Sequence, residues 1–142
     1  MSRILSLFVL ALLVGLGSCK KDEIDLASLN TNPFDADYVG TPIFTFVSAT
    51  TTSGVVNGVP VNILNVDVQV HTELFGRQTP YIVRTVNSNT GAETMITSGS
   101  MVDDRFTVRA NGVQPGAVHC WNLQVGNANS FGGGNQVCGT AE

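Results

Sequence analysis

Two histidines, three cysteines and two close pairs of acids are the side chains in this 142-residue sequence whose types could do chemistry. His71 and His119 fall on different expected strands. Neither has a cysteine or a second histidine at metal-ligand spacing, so structural roles are expected for both and no metal site. His119, close to a turn, is placed to hydrogen-bond the backbone at a corner. Asp35 and Asp37 offer a D-x-D where a calcium loop needs six or more oxygens in register, and read as a solvated acidic loop. Asp103 and Asp104 would point to opposite faces of a strand, which spoils shared acid–base work. They read instead as a turn before Arg105. No G-x-S-x-G elbow, phosphate loop or dinucleotide fingerprint is present. The glycine-rich "SFGGGN", Ser130–Asn135, lacks a lysine and a following helix and reads as a flexible hairpin tip. No enzyme and no cofactor is expected.

The elements that carry these residues are strands. Ile43–Val47 is aromatic and β-branched. Asn57-Gly58 between Val56 and Val59 is a strong two-residue hairpin signal. Leu64, Val66, Val68, Val70, Thr72 and Leu74 alternate with polar residues, which predicts one long half-buried strand. Tyr81–Val86, Glu93–Thr97 (an edge strand), Arg105–Ala110, Val118–Val125 and Gln136–Gly139 follow at short intervals. Seven short strands with no amphipathic helix predict an all-β antiparallel sandwich over residues 42–142.

Cys120 and Cys138 lie equidistant from Asn129, so a hairpin turning there sets them opposite each other. Trp121, Leu123 and Val125 then share the inner face with Val137, and the cysteines share the outer face. A disulfide is expected there, in an oxidising, exported compartment.

That pairing leaves Cys19 as the odd cysteine. Arg3, the apolar run Ile4–Leu16 and the small residues Gly17 and Ser18 have the layout of a secretory signal. A thirteen-residue helix is about 20 Å long, short of a bilayer core of roughly 30 Å. "LGSC", Leu16 to Cys19, resembles the lipobox of bacterial lipoprotein signal peptides. The resemblance implies a signal peptide over residues 1–18, cleavage before Cys19, a diacylglycerol thioether on its sulfur and an acylated amino terminus, anchored in the outer membrane. The alternative is an ordinary secretory peptide cleaved nearby. Lys21-Asp22-Glu23 resembles the surface-export signal of Bacteroidota lipoproteins, the alternative being a tether facing the periplasm. Residues 19–41 are polar and aperiodic and read as a lipidated tether with one short turn.

From Ile24 onward the chain carries four arginines, no lysine and nine acids, a formal charge of −5. Nucleic acid, which selects a cationic footprint, is excluded as a partner.

The stretch "FTVRANGVQPGAVHCWNLQVGNANSFGGG" resembles a fibronectin type III domain: Phe106, Val113, Pro115-Gly116 and Trp121-x-Leu123-x-Val125 fall in that family's order. Here His119 stands where the corner tyrosine would be, and the tryptophan of the second strand is absent, so another immunoglobulin-like sandwich is the alternative. The resemblance implies loops clustered at the ends of the sandwich. Phe131 at the hairpin tip, with Phe75, Arg77 and Tyr81 around "FGRQTPY", is the candidate ligand surface. The expected role is non-enzymatic: adhesion, a scaffold or an accessory module of an envelope complex. The alternative is a glycan-binding lipoprotein feeding an outer-membrane importer.

Overall fold

A computed structural model describes residues 30–76, 80–127 and 130–142. Seven strands form two antiparallel sheets: β1 (Phe44–Val56), β2 (Val59–Val70), β3 (Ile82–Asn87), β4 (Glu93–Thr97), β5 (Arg105–Asn111), β6 (Val118–Gly126) and β7 (Phe131–Thr140). One sheet has the order β1-β2-β5 and the other β4-β3-β6-β7. An all-β sandwich with this strand division is compatible with the immunoglobulin-like and fibronectin-III-like class.

The alternation read from the sequence is what closes the core. Leu64, Val66 and Val68 on β2 are fully buried and face Val83, Leu123, Val125 and Trp121 of the other sheet. Phe106, Val108 and Ala110 point inward from β5. Asn57 and Gly58 both take positive φ, 51° and 80°, and join Val56 to Val59 as a two-residue turn. This twist matches that of the flanking strands, and it lets β1 and β2 pair over their whole length.

Three boundaries differ from the sequence reading. The strand expected to run to Leu74 stops at Val70, and Thr72–Leu74 is a 3-10 turn. The last rung is His71 N–H to Ile43 O at 2.9 Å, after which the chain must leave this sheet for β3 in the other. Thr72 stays buried through the turn because its hydroxyl donates to Asp104 Oδ2 at 3.0 Å, so the period-two signal outlived the strand. β1 is one continuous strand from Phe44 to Val56 rather than a short one. β7 begins at Phe131, so the glycines expected to form a flexible tip are inside a strand.

Those glycines have a partner distant in sequence. Gly133 N–H donates to Pro33 O at 2.7 Å. A Cβ at Gly132 would run into the backbone of Phe34 and Asp35, and one at Gly133 would sit 2.6 Å from Tyr38 Cβ. The glycines thus let residues 33–38 lie directly on β7. Phe34 stacks edge-on against Phe75, and Tyr38 OH donates to Thr41 O at 2.6 Å. Residues 30–41, at the end of the stretch read as a tether, pack on the sandwich in this way.

The registers define two poles. One carries residues 30–43, the β2–β3 and β4–β5 connections and the β6–β7 loop. The other carries the Asn57-Gly58 hairpin, the β3–β4 turn, the β5–β6 connection and Ala141.

The two long edges of the sandwich are unlike. On one, β7 runs beside β1, and the Asn135 amide meets the Phe44 backbone twice: Phe44 N–H donates to Oδ1, and Nδ2 donates to Phe44 O, both at 2.9 Å. Glu142 N–H adds a bond to Thr51 Oγ1 at 2.9 Å. On the other edge, β4 and β5 have no such bridge, and a groove separates them.

Candidate functional site: the groove between strands 4 and 5

The groove has a volume of about 610 Å³. Thr94 and Ile96 of β4, with Ala92 just before it, form one wall, at alternate positions and therefore on one face. The β5 wall is a continuous run from Thr107 to Asn111, which means that the strand presents its backbone edge as well as its side chains. Thr85, Asn87, His119 and Trp121 contribute from β3 and β6, and Trp121 is only 2% exposed. None of the lining residues is acidic, and Arg109 is the single permanent charge. Hydroxyls, amides, an apolar floor and one cation suit recognition of an extended or polar ligand. Of the lining hydroxyls, that of Thr107 donates to Asp67 Oδ1 at 2.6 Å.

His119 departs from expectation. Its Nδ1 is buried with no hydrogen-bond partner, and its ring lies 6.4 Å from Trp121. The corner bonds come instead from the next turn. Asn89 Oδ1 accepts from Cys120 N–H at 3.2 Å, and its Nδ2 donates to Val118 O at 3.3 Å. Asn87 Oδ1 in turn holds the amides of Asn89 and Thr90 at 2.9 and 3.1 Å. An asparagine two residues beyond a strand carries no period signal, which is why the sequence favoured the histidine.

The residues read as a ligand surface are distributed otherwise. Tyr81 is 4% exposed, with its ring edge-on to Phe75 at 5.2 Å and its hydroxyl 3.2 Å from Asp104 Oδ1. Phe34, Phe75 and Tyr81 therefore form a packed aromatic row that extends the core toward the N-terminal pole. Arg77 lies outside the described residues. Phe131 is half-buried on the outer face of the four-stranded sheet, with the Arg84 guanidinium 5.8 Å from its centroid. Arg84 also donates to Glu93 at 2.8 Å and to Gln124 at 3.4 Å, and so ties β3, β4 and β6 across that face. The Glu93 carboxyl is held below its ordinary range, first by this hydrogen bond, and the same bond raises Arg84. Phe75 and Tyr81 come together, but inside, and Phe131 stands apart from them.

The remaining candidates take structural places. Cys120 and Cys138 are direct cross-strand neighbours with Cα atoms 4.0 Å apart, joined by a disulfide, and Trp121 opposes Val137 as the parity required. Asp103 and Asp104 are the two central residues of a tight turn, with φ of 52° and 57°. Asp35 Oδ1 accepts from Asp37 N–H at 2.9 Å, and that bond, then Asn30, lowers the Asp35 pKa. His71 bridges Thr45 Oγ1 at 3.1 Å and Glu73 Oε1 at 2.7 Å. No group of three or more potential metal ligands occurs among the described residues. Cys19 and residues 1–18, read as a signal peptide, lie outside the described residues. No protein-family model, no curated protein and no solved structure matches this chain.

Proposed function

We propose that this chain is a lipid-anchored envelope protein whose sandwich, of fibronectin-III or immunoglobulin-like kind, is a non-enzymatic binding module: an adhesion, scaffold or accessory subunit. The observation that carries the reading is the Cys120–Cys138 disulfide. It takes up two of three cysteines and leaves Cys19, at the end of the lipobox-like "LGSC", as the one available for acylation. The division into β1-β2-β5 and β4-β3-β6-β7 supports the fibronectin-III-like assignment. Burial of Tyr81 and the Arg84 cover over Phe131 leave few free aromatic faces of the kind a glycan platform uses, which favours a protein partner over a sugar.

Metabolic labelling with an acyl probe tests the anchor. The wild type should label and sediment with membranes, and Cys19→Ala should do neither. Labelling that survives the substitution rejects the anchor. Cross-linking and co-purification from intact cells test the module, with turnover of generic ester or glycoside substrates as the contrary result.

A further inference from the structure

We propose that the free edge of β5 is a strand-addition site, which takes an extended partner segment with acidic residues four apart and apolar residues between them. The inference rests on the binding-module reading above and names the surface and the chemistry of its partner.

The backbone defines the site. Gly112 N–H donates to Asn62 O at 2.8 Å, and Val70 N–H donates to Asp104 O at 2.9 Å. With the register Leu64↔Ala110, Val66↔Val108 and Val68↔Phe106, these two bonds fix the phase of the antiparallel ladder. Phe106, Val108 and Ala110 turn their amides and carbonyls toward β2. Arg105, Thr107, Arg109 and Asn111 turn theirs away from β2, where no further strand lies among the described residues; Val102 O takes the Arg105 amide at 2.9 Å, and the amides of the other three are open. Three of those four line the groove. A row of unpaired backbone groups beside a roomy groove is the template that strand addition uses.

Side chains select the partner. On the outer face an added strand would stand beside Arg105, Thr107 and Arg109, and on the inner face its side chains would enter the groove over Ile96 and Trp121. Arg109 has no hydrogen bond or ion pair among the described residues, and Arg105 bonds only the neutral Gln69, Nε to Oε1 at 2.7 Å. Acids opposite the two arginines, with apolar residues at the alternate positions, complement both faces. A second copy of β5 does not. Antiparallel pairing centred on Thr107 sets Arg105 against Arg109 twice, and like charges directly opposed are destabilising. The arginines thus bar self-pairing while leaving the edge open to a strand of opposite charge.

The test uses the full chain and the synthetic peptide acetyl-Val-Glu-Val-Thr-Val-Glu-Val-amide, with its counterpart carrying lysine for glutamate. Trp121 is the only tryptophan and lines the groove, so its fluorescence reports occupancy. The acidic peptide should bind at least tenfold more tightly than the lysine peptide, and Arg105→Glu/Arg109→Glu should invert that preference. Bound peptide should slow amide hydrogen exchange at Thr107, Arg109 and Asn111. Arg109→Pro removes an outward amide without touching the ladder to β2 and should weaken binding. Equal response to the two peptides, no response to either, or binding without protection of those three amides would overturn the proposal. Co-purification with an envelope partner that is indifferent to Arg109→Glu would leave the module reading standing and reject this edge.

Discussion

Replacing Asn135 by alanine should loosen the sandwich along one long edge. The Phe44 amide and carbonyl face away from β2, because the neighbouring pair Ile43/His71 holds the ladder bond. Phe44 is 1% exposed, and the Asn135 amide is what those two groups meet, at 2.9 Å each. A neutral hydrogen bond contributes about 1 kcal/mol net, and a buried group left unmatched costs roughly 1–3 kcal/mol. Asn135 is half-exposed, so water can enter the vacated space and recover part of the loss. Together these place Asn135→Ala at about 2–3 kcal/mol, equivalent to a fall in Tm on the order of 10 °C for a domain of this size. Urea unfolding followed by Trp121 fluorescence measures it, with the slope m as internal control. An unchanged m with a lower midpoint is expected. Asn135→Asp keeps the acceptor for Phe44 N–H but sets a carboxylate against Phe44 O, and should be no more stable than the alanine variant. If Asn135→Ala costs less than about 0.5 kcal/mol, within the range of an ordinary surface substitution, the two-bond clamp does not hold this edge.

Three further outcomes are expected. Cys120→Ser/Cys138→Ser opens a loop with a sequence separation of 18, and the chain-entropy relation gives a loss of about 3 kcal/mol, read as a urea midpoint matching that of the reduced wild type. Gly133→Val drives a side chain into Tyr38, so residues 33–38 should detach and become sensitive to limited proteolysis while the strands remain folded. In acid, Glu93 contributes stability above its ordinary value of 4.5, because its folded pKa is lower and the unfolded chain binds the extra proton; that contribution fades as pH falls through the folded value. Glu93→Gln should therefore flatten the acid limb of a stability titration as pH falls from the ordinary value of 4.5 through the lower folded one.

The parts of this fold legible in the sequence are those governed by neighbours in the chain. The inward row on β5, the Asn57-Gly58 turn and the Cys120–Cys138 parity each follow from period two or from turn chemistry. What stayed hidden depends on distant segments. Gly132 and Gly133 look like a loose tip until Pro33–Tyr38 lie on them. Tyr81 looks like a loop aromatic until Phe75 and Asp104 enclose it. The groove leaves no local mark at all, since it arises where no strand fills the space between β4 and β5. Arg105 and Arg109, two residues either side of Thr107, enter the sequence reading only through the net charge.

The cross-strand disulfide also has a mechanical meaning. The described chain enters at one pole, at Asn30, and Ala141 lies at the other, so tension between them loads the strands along their axes. A pull applied at Ala141 passes from Cys138 through sulfur to Cys120, and the hairpin between them carries none of it. When the domain ruptures, those 18 residues of separation stay looped out, and the extension gained is shorter by roughly 60 Å at 3.3–3.6 Å per residue. Single-molecule traces in oxidising and reducing buffer would differ by that length, and the bridge would act as a stop that limits how far a stretched molecule can travel.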